Sequence, residues 1–271
     1  LIQSLEDSFG ARLFDRTTRR VAPTAEGRLL EESARRLLGD MDAMVSDFRD
    51  HAQHRKGRVS IAALPSLAAG WLPGVLAEFH RRYPGVEIVL ADTLSEQCKS
   101  LVRARRADLA LATAAADEID LDSEFLCADE FHLVWRDDHP LARRRNISLA
   151  DLAAHPFVHL SRSSSVRQYL DSAFHPMQMR TVAEVEHLAT VTGLVAAGLG
   201  ISVVPALTLF QFERKGLVVQ PLRLAGLHRE IVILRRKEES LSANAQALRE
   251  LMLQHKPRST VRRKRQGSSR H

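Results

Sequence analysis

The chain has 271 residues, of which 45% are hydrophobic, and its 39 Lys and Arg against 33 Asp and Glu give a net charge of +6. This length suggests about two domains, and the hydrophobic fraction is ordinary for a chain with a real core, which excludes disorder throughout. No apolar run reaches the roughly 18 residues that cross a bilayer, and no signal segment opens the sequence. We therefore expect a cytoplasmic protein with no membrane partner.

The excess positive charge lies at the end of the chain. Residues 258–271 hold six basic and no acidic side chains, and without these six the chain has 33 basic and 33 acidic residues. We predict that residues 257–271 form a disordered basic tail, with weak phosphate contacts as the alternative. Cys98 and Cys127 are the only cysteines and show no paired spacing, so neither a disulfide framework nor a zinc cluster is predicted.

The first segment predicts a helix followed by a basic hairpin. Leu1, Ile2, Leu5 and Phe9 recur at helical spacing, Gln3 lies on the polar face, and Gly10 follows where a helix would stop. Apolar and basic residues then alternate on both sides of a Thr-Thr turn, as in a two-stranded hairpin. The hairpin carries four arginines: Arg12, Arg16, Arg19 and Arg20.

A long helix is predicted next, from the N-cap residue Thr24 to about Arg55. At 1.5 Å per residue it would be roughly 45 Å long, which is too long for one hairpin to cover. We expect it to dimerise through an apolar stripe that includes Leu30, Leu37, Met41 and Met44. Residues 51–57 are predicted to form a polar hinge.

Beyond the hinge, strands alternate with helices, which predicts a parallel α/β architecture. The predicted strands cover residues 59–63, 86–91, 108–112, 133–136, 157–160, 181–185, 201–204 and 230–234. The predicted helices cover residues 72–82, 95–105, 166–174, 187–197 and 243–254. The glycine-rich segment from Gly193 to Pro205 runs from helix to strand, so it predicts a buried turn and no phosphate loop.

The opening stretch LIQSLEDSFGARLFDRTTRRVAPTAEGRLL resembles the winged helix-turn-helix of LysR-type transcriptional regulators, from recognition helix through wing into linker helix. The motif Leu-Phe-Asp-Arg, the paired arginines and Pro-Thr-Ala-Glu-Gly carry the resemblance. The rest of the chain resembles the effector domain of that family to about residue 256. The family places two further helices and the front of the recognition helix ahead of the position of Leu1, so the chain resembles an N-terminally truncated member.

The resemblance implies an α/β fold with four parts. They are a partial winged helix-turn-helix (1–23), a linker and dimerisation helix with its hinge (24–57), an effector-binding domain of periplasmic-binding-protein type (58–256), and the tail. Lobe one of the effector domain would comprise 58–128 and 227–256, and lobe two 129–226. Double-stranded DNA would be bound by Gln3 and the four hairpin arginines. The resemblance also implies self-association, as a dimer and then a tetramer.

Hydroxyl side chains mark a candidate effector site. In open α/β sheets ligands bind beyond the carboxyl ends of strands. Ser66 follows the first predicted strand, Thr113 the third, and Ser161, Ser163 and Ser164 follow the strand 157–160. Hydroxyls beside helix N-termini suit a small anion, and by the resemblance the effector would be a small carboxylate. The alternative for each hydroxyl is that it only caps a helix.

Chemistry beyond binding is not indicated. The sequence has no HExxH and no Gly-x-Ser-x-Gly, and the pairs His51–His54 and His155–His159 lack a third ligand nearby. We expect neither an enzyme nor a metal or cofactor. The leading hypothesis is a transcriptional regulator controlled by a small effector between two lobes. The alternative is a stand-alone small-molecule-binding or enzyme-like α/β domain with a helical N-terminal appendage, against which the basic hairpin argues.

Overall fold

The structure, a computed structural model, describes residues 2–17, 20–52, 57–114, 119–144, 147–224 and 226–257, without the side chains of residues 16, 17, 20 and 43–52. Some predicted features lie outside this description. They are Arg19, hinge residues 53–56, the tail from residue 258, and the side chains of Arg16, Arg20 and Met44.

The N-terminal part has the predicted order of helix, hairpin and long helix. These elements are α1 (Ile2–Phe9), β1 (Phe14–Thr17), β2 (Arg20–Pro23) and α2 (Ala25–Ala52). Leu13 joins them, because its backbone N–H donates to Glu6 Oε1 of α1 at 2.8 Å and its carbonyl accepts from Thr24 N at 3.0 Å. The hydroxyl of Thr24 accepts from Gly27 N at 2.9 Å, as predicted for the N-cap of α2.

The remaining elements follow in chain order. The first group is β3 (Gly57–Ala63), α3 (Pro65–Ala69), α4 (Leu72–Arg82), β4 (Val86–Asp92), α5 (Ser95–Arg103) and β5 (Leu109–Thr113). The second group is β6 (Leu121–Arg136), α6 (Leu149–Ala153), β7 (Pro156–Leu160), α7 (Ser165–Phe174), β8 (Arg180–Val185), α8 (Leu188–Ala196) and β9 (Ser202–Pro205). The last group is β10 (Leu217–Pro221), β11 (His228–Arg236) and α9 (Ala243–Gln254). Short 3-10 helices cover Pro140–Arg143 and Ala206–Gln211.

The prediction of a parallel sheet is correct only in part. Strand β3 runs parallel to β4 and β5, and β7 runs parallel to β8. The main sheet has the order β10-β6-β11-β5-β3-β4, however, and β6 pairs antiparallel with β9, β10 and β11. The sequence predicted only the last four residues of β6, because acidic residues interrupt the apolar pattern of its first half. Elements α3, α6 and β10 were also not predicted.

Residues 57–257 have two hydrophobic cores in their described part. The first is built by side chains from residues 59–127 and 231–252, and the second by side chains from residues 131–227. A smaller cluster on the other face of the main sheet includes Cys98, Val102 and Leu121. We call the parts around the first and second cores lobe one and lobe two. The chain passes between them along β6 and along the segment that leads into β11.

A buried ion pair lies where these two crossings meet. Asp129 of β6 faces Arg229 of β11, and both are about 1% exposed. Arg229 Nε donates to Asp129 Oδ2 at 2.8 Å, and Arg229 Nη2 donates to Ser66 Oγ in α3 at 2.7 Å. Asp129 Oδ1 accepts from Leu207 N at 3.0 Å. One network thus connects both crossing strands with α3 and the 3-10 helix at Ala206–Gln211.

No helix in the described part of the chain is long and apolar enough to span a bilayer.

We expect Gly27→Ala to disrupt the junction between hairpin and linker helix. A Cβ at position 27 would lie 2.1 Å from the carbonyl oxygen of Leu13, which must then move and lose its bond from Thr24. Limited trypsin digestion should cut the variant faster between Arg12 and Arg28. The control is Gly39→Ala in the same helix, where a Cβ meets nothing within 4 Å and helix propensity predicts a gain of about 0.5 to 1 kcal/mol. Equal digestion of both variants would contradict this account.

We expect Arg229→Met to lower the free energy of unfolding by about 3 to 5 kcal/mol, because it leaves the Asp129 carboxylate buried without its partner. The control is Arg82→Met, which breaks a helical pair with Glu78 in which Arg82 is 48% exposed and should cost less than about 1 kcal/mol. Urea unfolding followed by circular dichroism measures both. A similar loss in the two variants would show that the buried network is not a main source of stability.

Candidate functional site

The carboxyl ends of β3, β4 and β5 form one edge of lobe one. Because the three strands are parallel, with Ala63 paired to both Asp92 and Leu111, the residues that follow them share this edge. Ser66 lies in the first turn of α3, Asp92 ends β4, and Thr113 ends β5. The structure therefore places two of the predicted effector residues, Ser66 and Thr113, at one edge of the sheet.

The hydroxyls at this edge are buried, and neither acts as an N-cap. Ser66 Oγ accepts from Arg229, and α3 has Leu64 as its cap residue. Thr113 Oγ1 lies 2.8 Å from Ser95 Oγ, and Thr113 N donates to the same oxygen at 3.1 Å. Ser95, the first residue of α5, was not predicted as an effector-binding residue. It nevertheless follows the end of β4 and begins a helix, as the predicted hydroxyl residues follow the ends of their strands.

Lys99 adds a positive charge on the same helix. It lies one turn after Ser95, its side chain is only 3% exposed, and its Nζ donates to Glu96 Oε1 at 2.8 Å. A lysine is rarely buried to this degree unless it is paired. In the sequence, Lys99 occupies an ordinary polar position of an amphipathic helix, so it was not predicted as a site residue.

One edge of lobe two is built at the ends of β7 and β8. Ser161 N donates to the carbonyl of Val185 at 2.9 Å, which brings the residues after both strands together. Ser161 Oγ donates to Glu186 Oε2 at 3.1 Å and lies 2.9 Å from Ser163 Oγ. The structure therefore joins Ser161 and Ser163 in one cluster with Glu186, which was not predicted.

Ser164 caps a helix, which was the alternative to effector binding given above for each hydroxyl. This residue is the N-cap of α7, and its hydroxyl accepts from Val166 N at 3.2 Å. Its position is 5% exposed, so its visible role is to fix the start of α7 beside Ser161 and Ser163.

Charged groups of one lobe influence the pKa of groups in the other lobe. Partial burial raises the pKa of Asp92 in lobe one, and nearby His187 of lobe two opposes this rise. Burial also raises the pKa of the Tyr169 phenol in lobe two, while Arg229 and Lys99 lower it. Asp92 of lobe one therefore lies near His187 of lobe two, and Tyr169 of lobe two lies near Arg229 and Lys99.

The predicted DNA-binding and dimerisation residues lie on exposed surfaces where they are described. Gln3 and Arg12 are exposed, on α1 and just before the hairpin. On α2, Leu37 is 68% and Met41 is 59% exposed, and Leu30 is half-buried. Leu37 and Met41 are therefore not covered by the described remainder of the chain.

The two cysteines, and the histidines that the structure describes, form no reactive centre. Burial raises the pKa of the Cys98 and Cys127 thiols to about 12 in each case, so both stay protonated at neutral pH and lack the thiolate that acts as nucleophile. His159 stacks on Phe157, and burial lowers its pKa to about 4. His155 packs against His139. Among the described residues, no group of three His, Cys, Asp or Glu side chains could hold a metal ion.

Comparison with known proteins gives matches along nearly the whole chain. Residues 52–257 match the LysR substrate binding domain, and residues 1–28 match the bacterial regulatory helix-turn-helix protein of the lysR family. The chain is 33% identical over 249 residues to the HTH-type transcriptional regulator YfeR of Shigella flexneri, covering 91% of this chain and 80% of that protein. It is 34% identical over 223 residues to the transcriptional activator protein LysR of Escherichia coli K12, covering 81% of this chain and 71% of that protein.

A solved structure gives the same result for the effector-binding part. The regulatory domain of CcmR from Synechocystis PCC6803, in complex with 2-PG, superposes with a TM-score of 0.67 at 25% identity. The match covers 73% of this chain and 97% of that domain. The helix-turn-helix match at residues 1–28 argues against a stand-alone binding or enzyme-like domain, and the family consists of regulators, in agreement with the prediction of no enzyme. The chain belongs to the LysR family of transcriptional regulators, with a helix-turn-helix segment at residues 1–28 and an effector-binding domain at residues 52–257.

Proposed function

We propose that this regulator responds to a small anionic effector that binds between its two lobes. The single observation that carries the proposal is the pairing of buried hydroxyls with a buried ammonium at the cleft edge of lobe one. Ser66, Thr113 and Lys99 are each between 3% and 6% exposed. After their internal hydrogen bonds, Ser66 and the Ser95–Thr113 pair each keep one hydroxyl hydrogen to donate, and a bound carboxylate would accept it.

Lobe two would complete the site with Ser161 and Ser163, while Ser164 holds α7 in place. The effector would then contact both lobes, so its binding would favour one relative arrangement of lobes over others. The boundaries that we propose are those given by the resemblance: residues 1–23, 24–57, 58–256 with its two lobes, and 257–271. The similar regulatory domain of CcmR binds 2-PG, which supports the idea that a domain of this shape holds a small molecule.

On DNA, we propose that Gln3 reaches base edges and that Arg12, Arg16, Arg19 and Arg20 hold phosphates. The arginines lie at or beside the hairpin, where cations contact the backbone and position a protein without reading sequence. Because its target is DNA, we place the protein in the cytoplasm.

We further propose that α2 pairs with α2 of a second copy. The exposed Leu37 and Met41, which continue in the sequence from half-buried Leu30 to Met44, support this, because apolar side chains at helical spacing favour a helical partner. Two such dimers would form the tetramer that the family resemblance implies.

Replacing Ser66 or Thr113 by Ala should weaken binding of a small carboxylate about tenfold, since a hydrogen bond to a charged group contributes roughly 1.5 to 3 kcal/mol. Isothermal titration of the full chain with a panel of small carboxylic acids measures this. The control is Ser164→Ala, which removes a helix cap and should cost about 1 kcal/mol of stability with little effect on affinity. If Ser66→Ala and Thr113→Ala also lower only stability, the proposed site is wrong.

Leu37→Glu should reduce the mass of the assembly in light scattering, because a carboxylate repeated by symmetry in an apolar seam is costly to bury. Gly39→Glu is the control, since it puts the same charge nearly opposite Leu37 on α2, where nothing lies within 4 Å. An unchanged mass for Leu37→Glu, or an equal change for both variants, would place the main contact elsewhere.

A further inference from the structure

The direction of the hydrogen bonds gives the two sides of the cleft opposite chemistry. A hydroxyl donates one hydrogen. On lobe one, Ser66 Oγ accepts from Arg229 and keeps its own hydrogen to donate. Ser95 and Thr113 share one hydrogen bond between their hydroxyls, which leaves one of the two hydrogens to donate. Lobe one therefore presents hydrogen-bond donors and the positive charge of Lys99.

Lobe two presents an acceptor. Ser161 gives its hydroxyl hydrogen to Glu186, so the short contact between Ser161 and Ser163 requires Ser163 to donate to Ser161. Both hydrogens of this pair are directed along a chain that ends on the Glu186 carboxylate. No cation of the described residues lies within salt-bridge distance of Glu186. This side of the cleft would repel a second carboxylate and attract a cation.

Carboxylates lie on both lobes beside these hydroxyls. On lobe one, Lys99 pairs with Glu96 and Arg229 pairs with Asp129, so each of these cations already has a carboxylate beside it. Asp92 and Glu186 add negative charge, and His187 lies near Asp92. A ligand with only negative charge would find hydroxyl donors on lobe one, but it would also meet the carboxylates of Asp92 on lobe one and Glu186 on lobe two.

We infer that the effector is a small zwitterion of the amino-acid class. Its carboxylate accepts from Ser66, from the Ser95–Thr113 pair and from Lys99 on lobe one. Its ammonium donates to Glu186 on lobe two, with Asp92 as a second nearby carboxylate. This inference rests on the effector site proposed above and adds the cationic group. A ligand with both charges also holds the two lobes together, because each lobe binds a different end of it.

The test uses three matched sets of compounds on the full chain. The first set is L-alanine, L-serine, L-glutamate, L-lysine and L-phenylalanine, the second is the 2-hydroxy acids that replace each α-ammonium by a hydroxyl, and the third is the amino-acid amides. Thermal shift identifies binders, and isothermal titration gives their dissociation constants. We expect at least one amino acid to bind ten times or more tightly than its 2-hydroxy acid and its amide.

Glu186→Gln should weaken the binding of that amino acid at least tenfold, and it should leave the binding of the 2-hydroxy acid unchanged or make it tighter. The matched control is Glu184→Gln, two residues away, whose carboxylate contacts Arg167 and not the serines, and which should leave both affinities unchanged. Hydroxy acids that bind as tightly as amino acids, with binding that depends on Ser66 but not on Glu186, would overturn the zwitterion and leave the anion site standing. Binding that depends on neither Ser66 nor Glu186 would overturn both the zwitterion inference and the proposed anion site. A lack of binding by every amino acid would overturn the zwitterion inference.

Discussion

The buried ion pair between Asp129 and Arg229 joins the two strands that connect the lobes of the effector-binding part. Two charges removed from water are costly unless their hydrogen-bonding groups are satisfied. Here Ser66 of α3 and the backbone of Leu207 complete the network on either side. Breaking this network would leave a buried charge without its partner, so we expect the two connecting strands to stay joined when the lobes move.

The same network reaches the proposed binding site. Arg229 fixes the oxygen of Ser66 and thereby sets the direction in which the Ser66 hydroxyl can donate. A ligand on Ser66 would thus be one contact from the point where the lobes are joined. This gives a physical route by which occupancy of the cleft favours one arrangement of lobes, provided that the two arrangements differ in their contacts to the ligand.

In the N-terminal part, a few backbone contacts likewise connect several elements. The backbone of Leu13 connects α1, the hairpin and α2 through Glu6 and Thr24, and Gly27 is the residue that lets the Leu13 carbonyl approach. Ile2, Leu5 and Phe9 on α1 and Leu37 and Met41 on α2 remain exposed. The described chain thus holds its DNA-side elements together by backbone bonds and leaves their apolar faces available for other contacts.

Local patterns in the sequence determined the elements that have a clear period or end signal. These include α1, the hairpin, α2 with its Thr24 cap, the parallel strands β3, β4 and β5, and the strand-end hydroxyls Ser66, Thr113 and Ser161. Hydrophobic spacing and capping are local properties, which is why a single sequence carries them. Membership of the family also followed from short motifs between residues 12 and 27.

Only the tertiary structure decided which of these residues meet. Arg229 and Ser66 are 163 residues apart, Asp129 and Arg229 are 100 apart, and Ser161 and Glu186 are 25 apart, so no local period connects them. The long antiparallel strand β6 was missed because its acidic residues, solvated in an unfolded chain, are satisfied here by partners such as Arg229 and Arg235. The donor side and acceptor side of the cleft likewise depend on hydrogen-bond direction, which is set by long-range folding and cannot be read from residue types alone.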